Sequence, residues 1–273
     1  MNKIEIIPAS SSSNRGVQVG GFNLIELLVV IAIIAIVTAT LLPALGRAGN
    51  RDQLAIDLNN NKQIMQAMTM YTANNREYLP YPAWGTRRDS WCYGANIVEY
   101  GNSATTVATF PICYNNQLVY FRKSQLYPYL KEPKVLLCPA DEPNGLYYQR
   151  SIYITSYVWN GAICDGEWRI TTKITNARFK PDCILQWEID EQLPFYFNDG
   201  SSYPDEGIST RHGTGAIVGL IGGGAEQVRY ADWYTDRYAG ALGQRGQAIP
   251  PGDFPTRLWY SPGNRFPGKP GLF

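Results

Sequence analysis

Hydrophobic and polar positions divide the chain into three regimes. From Leu27 to Leu42 there is no charge, and Thr38 and Thr40 are the only polar side chains. The apolar character continues to Leu45 with one interruption at Pro43. A run of that length predicts a helix able to cross a membrane, over about residues 24–45. The second regime is amphipathic. Leu54, Leu58, Met65, Met68 and Tyr71 recur at intervals of three, four or seven between polar stretches such as Asn59-Asn60-Asn61-Lys62. This spacing predicts that the same helix continues over about 50–74. A continuous helix from Phe22 to Asn74 would be roughly 80 Å long at about 1.5 Å per residue. Pro43 removes a backbone hydrogen bond, and Gly46 and Gly49 weaken the following turns, so a hinge or a melted segment is expected at about 40–50. Asn74-Asn75, Pro80 and Pro82 then stop the helix.

The third regime, 76–273, is a head of short segments rich in β-branched and aromatic residues. Val135-Leu136-Leu137-Cys138, Ser151 to Trp159 and Ile184 to Ile189 read as strands between Pro, Gly and Asn punctuation. Ala216 to Leu220 and Ala225 to Tyr230 flank Gly222-Gly223-Gly224 and read as a hairpin. From about residue 240 the chain is Gly/Pro-rich and reads as an irregular tail. The expected class is α+β, a long N-terminal membrane helix followed by a β-rich globular head.

Composition changes this picture in few places. Lys plus Arg number 24 against 23 Asp plus Glu, so no basic excess points to nucleic acid. Charged residues are only 17% while Tyr alone numbers 19, which suits an exported surface making neutral and aromatic contacts. Cys92, Cys113, Cys138, Cys164 and Cys183 all lie beyond the apolar run, on the side expected in an oxidising compartment. An odd number leaves at least one unpaired within the chain, and the pairing of the others stays open. No two have C-x-x-C spacing, and one histidine excludes a His-rich metal site.

A carboxylate, Glu26, stands where the apolar run begins, close behind Gly21-Phe22. An ionised group at membrane depth is costly, so it needs a partner. The stretch Gly21-Phe22-Asn23-Leu24-Ile25-Glu26-Leu27-Leu28 resembles the processing site of type IV prepilins and type II secretion pseudopilins, with Asn23 where Thr or Ser is commoner. The resemblance implies a leader, 1–21, removed by a prepilin peptidase after Gly21, and an N-methylated Phe22 as the mature N-terminus. It also implies that Glu26 meets the ammonium of a neighbouring subunit during assembly, and that the hinge region lets the helix stretch as subunits pack. Two other readings of the stretch are a secretory signal peptide, against which the length of the run and the position of Gly-Phe count, and an uncleaved anchor. In the head, Leu126-Tyr127-Pro128-Tyr129-Leu130, Cys138-Pro139, Ser156-Tyr157-Val158-Trp159-Asn160-Gly161 and Arg211-His212 are similar to landmarks of a prepilin-like family with a C-terminal His-x9-Asp-Gly motif. The motif is degenerate here, because Gly222 stands where that family has Asp.

Two features carry candidate chemistry. His212 is the lone histidine, but no Ser or Cys in a nucleophile-elbow context accompanies it, so a loop-capping role is expected and no enzymatic activity. The acidic run of Asp190, Glu191, Asn198, Asp199, Asp205 and Glu206 offers oxygens for calcium, although its spacing does not match an EF-hand, and a solvated loop is the plainer reading. The resemblance implies a non-enzymatic pilus or pseudopilus subunit, single-pass in a bacterial inner membrane, its head in the periplasm or outside the cell. The other reading is a membrane-anchored binding or hydrolytic head that never polymerises.

Overall fold

The computed structural model describes residues 23–97, 108–161, 172–175, 179–233 and 257–258, except for the side chains of 43–45, 47, 48 and 205. Gly21, Phe22, Cys164 and most of the tail beyond 240 lie outside the described residues. The chain forms two compact units, Met1–Ala48 and Gly49–Phe273.

The first unit contains the start of helix α1, Leu24–Asn74. A capping box opens it: the Asn23 side chain accepts from Ile25 N–H at 3.2 Å, and Glu26 accepts from Asn23 N–H at 3.1 Å. Leu24–Leu42 is long and apolar enough to span a membrane, and none of it is buried within the protein. Its hydroxyls are satisfied inside the helix, Thr38 donating to Ile34 O at 2.8 Å and Thr40 to Val37 O at 2.9 Å. The backbone is helical through Pro43, Gly46 and Gly49, which leaves a hinge, and not a melted segment, as the form the expected weakness would take.

The second unit begins within the same helix. Ile64, Met65, Ala67 and Met68 are buried on one stripe, and Asp57, Asn60 and Asn61 extend that stripe towards the N-terminus. The helix ends as expected, with Glu77 N–H bonded to Thr72 O at 2.9 Å and positive φ at Arg76 and Glu77. The head is mixed rather than β-rich. Helix α2, Phe110–Phe121, buries Cys113, Gln117 and Phe121, and a short α3 covers Tyr127–Leu130. Val135-Leu136 lies in a 3-10 turn, Pro133–Leu136, and not in a strand, because Glu132 caps Lys134 N–H and Pro133 favours a helical start.

Among the described residues five strands form one sheet, in the order β3-β1-β2-β4-β5. They are β1 Tyr157–Asn160, β2 Ile184–Glu188, β3 Ser201–Ser202, β4 Gly215–Leu220 and β5 Ala225–Arg229. β1 occupies only the end of the segment expected from Ser151. The β4–β5 hairpin is antiparallel as expected, and β3 runs parallel to β1. Both faces of the sheet centre are covered, since every residue of β1 and β2 is buried. Tyr157 and Trp159 join the core that contains Ile64, Met65 and Met68 of α1. Val158, Trp187, Ala216 and Val218 face a second core with Val228, Leu258 and Trp233 of the short α4, Tyr230–Trp233. Residues 257–258, part of the expected irregular tail, pack onto the sheet: Arg257 O accepts from Ile184 N–H at 2.7 Å and Leu258 O from the Asn160 amide at 2.8 Å.

Candidate functional site

Where α1 crosses the sheet, the apolar contact of Ile64, Met65 and Met68 gives way to a polar one at Asp57 and Asn61. The Asn61 amide oxygen accepts from Gln186 at 2.7 Å, and Gln186 in turn accepts from the Trp159 indole at 2.9 Å. One turn earlier, Asp57 accepts from the Tyr157 hydroxyl. Glu188 ends β2 on the same side, with its Oε2 accepting from Ile217 N–H at 2.8 Å. The loop before β4 is tied to β2 by Ser209 N–H on Glu188 O at 2.9 Å, and a Gly213 turn at φ 80° sends it back. That geometry inserts Arg211 and His212 into the interface, with side chains 4% and 3% exposed.

His212 Nε2 lies 3.1 Å from Asp57 Oδ2, 3.6 Å from Glu188 Oε1 and 3.3 Å from Cys138 Sγ. Those four side chains offer donor atoms all within 4.8 Å of one another. Around them runs a second ring of charge. Asp141 receives a bidentate pair from Arg150, at 2.7 and 2.9 Å, plus the Ser156 hydroxyl at 2.7 Å and Arg211 at 3.1 Å. Arg150 stacks over Phe197 at 3.7 Å and Tyr147 at 4.2 Å. Ser156 also receives Cys138 N–H at 3.0 Å, joining the two rings.

Burial and the Asp57 charge push the Glu188 carboxyl up to about 8, against Arg211 and His212, which lower it. Burial would depress His212, but the hydrogen bond it donates to Asp57 and the charges of Glu188 and Asp57 outweigh it and raise the imidazole. Burial would likewise raise Asp141, yet Arg211 and Arg150 hold it below the usual range. The Cys138–His212 contact has the outline of a nucleophilic dyad, but burial, Glu188 and Asp57 drive the thiol far up. A reactive cysteine needs the opposite shift.

The expected role of His212 as a loop cap is therefore incomplete, since its ring belongs to a buried cluster. The acidic run does not converge on a calcium site among the described residues. Asp199 accepts from Gly85 and Ser201 N–H, Glu191 from Ser209, Glu206 from Ser202, and Asp190 from Gln192 N–H. Asn198 caps the 3-10 turn Pro194–Phe197. The four described cysteines are free and buried. Asp57, Asp141, Arg150 and Glu188 escaped sequence reasoning, although Cys138, Ser156, Tyr157, Arg211 and His212 belong to the landmark segments quoted above, and here they meet. Comparison with known proteins finds no matching family model, no matching curated protein and no matching solved structure.

Proposed function

We propose that the chain is a structural subunit of a pilus-like or pseudopilus-like fibre, processed after Gly21 and assembled through its N-terminal helix. The observation that carries this reading is α1 itself. Its apolar stretch leaves Leu24, Ile25, Leu27 and Leu28 between 51% and 77% exposed, while a lone carboxylate, Glu26, sits at the start. Among the described residues Glu26 accepts the Asn23 N–H capping bond and no cation meets it. A charge left at membrane depth costs roughly 2.5–3.5 kcal/mol on insertion scales for Asp, Lys or Arg, so an ammonium supplied by a neighbour's Phe22 would favour the assembled state.

Glu26→Gln separates capping from charge, because Gln also serves in a capping box. The variant is expected to be cleaved, to begin at Phe22 and to stay in the membrane, yet to lose cross-linked ladders between single cysteines placed at the exposed positions Ile56 and Met70. Ladders as strong as those of the wild type would overturn the ammonium–carboxylate mechanism. Wild-type protein without ladders would favour the non-polymerising anchor.

A further inference from the structure

Fibre assembly through α1 gives no reason for the cluster of Asp57, Cys138, Glu188 and His212 inside the head. Seen as hydrogen bonds alone, the cluster is under-satisfied. His212 Nε2 faces three polar atoms, Asp57 Oδ2, Glu188 Oε1 and Cys138 Sγ, and it can make one good hydrogen bond among them. Glu188 Oε1 is buried and accepts no hydrogen bond. A buried carboxylate oxygen that accepts no hydrogen bond is costly even with Arg211 and His212 3.6 Å away.

The outer oxygens are arranged differently. Tyr157 OH occupies Asp57 Oδ1 and Ile217 N–H occupies Glu188 Oε2, so each carboxylate has one oxygen fixed by the protein and one turned to the centre. Ala140 N–H donates to Cys138 Sγ at 3.3 Å. Such bonds to the outer atoms of ligating groups orient metal ligands. The distances from His212 Nε2 also fit, and all four donor atoms lie within 4.8 Å of one another. Tetrahedral zinc bonds of about 2.0 Å to nitrogen or oxygen and about 2.3 Å to sulfur set ligand-to-ligand edges of roughly 3.3–3.5 Å. Those from His212 Nε2 are 3.1, 3.3 and 3.6 Å.

We propose that the head binds a structural zinc ion through Asp57 Oδ2, Cys138 Sγ, Glu188 Oε1 and His212 Nε2. The sulfur and imidazole donors favour zinc over calcium or magnesium, which take oxygen shells. Four protein ligands close the shell, which is the structural rather than the catalytic pattern. Binding forms one Zn–S, one Zn–N and two Zn–O bonds, and the protons held on Cys138 Sγ, His212 Nε2 and the Glu188 carboxyl leave to solvent. The zinc dication and the Arg211 guanidinium, 3.6 Å from Glu188 Oε1, together offset the three anionic ligands. A cleft of about 240 Å³ lined by Arg51, Leu54, Arg211, His212, Thr214 and Gln227 gives an ion a route from solvent to the imidazole. The ion would join α1, the Cys138 turn, β2 and the loop before β4, four segments far apart in the sequence.

The test uses the full chain in detergent, stripped with a chelator, desalted, and titrated with cobalt(II) and then zinc(II). Wild type should develop the intense visible bands of tetrahedral cobalt and a thiolate-to-cobalt charge-transfer band, bleached by about one equivalent of zinc. Cys138→Ser should lose the charge-transfer band, and His212→Gln should weaken binding more than about tenfold. Cys183→Ser, altered at a buried thiol outside the cluster, should keep both features. If the site variants do not fold, protection of Cys138 from alkylation by zinc in the wild type, mapped by peptide mass, replaces them. No charge-transfer band, a band that survives Cys138→Ser, or Cys138 alkylated equally with and without zinc would overturn the proposal and leave a buried ion-pair network. None of these outcomes depends on whether the chain forms fibres.

Discussion

Asp199 shows what burial does to a carboxyl that has hydrogen bonds but no cation. It accepts from Gly85 N–H at 2.8 Å and Ser201 N–H at 2.9 Å, and burial still pushes it up to about 7. The groups facing it are Glu206, which raises it further, and the buried Cys92 and Tyr93, both shifted well above their ordinary values by burial. Because the folded state keeps a proton that the unfolded chain loses near pH 4, the stabilisation it gives is complete below that pH. It is lost as pH rises through about 7. Asp199→Asn should therefore flatten the fall in stability between about pH 4 and 7, by on the order of 1.4 kcal/mol per pH unit. Urea unfolding of variant and wild type across that range measures it, and parallel curves would contradict it. Asp199 was visible in the sequence only as one member of an acidic run. Closeness in sequence does not make a shared site here, since the described carboxylates of the run each bond a different partner: Asp199 bonds Gly85 and Ser201, Glu191 bonds Ser209, Glu206 bonds Ser202 and Asp190 bonds Gln192. Asp57 was more legible in principle: with Asn60 and Asn61 it falls on the same helical stripe as Ile64 and Met68, and polar residues on an inward stripe mark a polar interface. Its partners at 138, 188 and 212 follow no spacing rule, because separate elements bring them together.

At the scale of elements, α1 and the β4–β5 hairpin were legible, one from its three-four spacing and the other from its glycine turn. Helix α2 and the Pro133–Leu136 turn were not. A short apolar run fits strand and helix equally, and tertiary burial decides, as the four-residue spacing of Cys113, Gln117 and Phe121 shows afterwards. The alternation of β2 was also disguised, because Gln186 and Glu188 are polar yet fully buried against α1. At Gly219 of β4 the helix packs close on the sheet, and an added Cβ would lie 2.9 Å from Met65 Sδ. Gly219→Val should cost about 1–3 kcal/mol through overpacking. Met65→Ala alone should cost about 2–5 kcal/mol. The double variant should be more stable than the sum of the two losses predicts, because the smaller side chain admits the valine. Chemical denaturation of the four proteins reads the coupling; strict additivity would mean that the two residues do not share that space.

For the whole molecule, the boundary that matters is not where the helix ends. The sequence divides naturally at 75/76, between helix and head, whereas the compact units divide at Ala48/Gly49. Residues 49–74 belong to the head because they supply part of its interior. Ile64, Met65 and Met68 are each 0% exposed, and Asp57 and Asn61 close the polar interface with β1 and β2. Removing three such apolar side chains costs about 2–5 kcal/mol apiece, while a domain of this kind is stable by only about 5–15 kcal/mol in total. A chain starting at Gly49 should therefore stay in solution without detergent and unfold in one cooperative transition. A chain starting at Arg76 should not fold, since the loss of the stripe alone consumes that margin and leaves Gln186 and Glu188 facing water or each other. Circular dichroism melts of the two chains distinguish the cases. A cooperative melt from the chain starting at Arg76, near the temperature of the longer one, would show that the helix is only a stalk and that the head's core is complete without it.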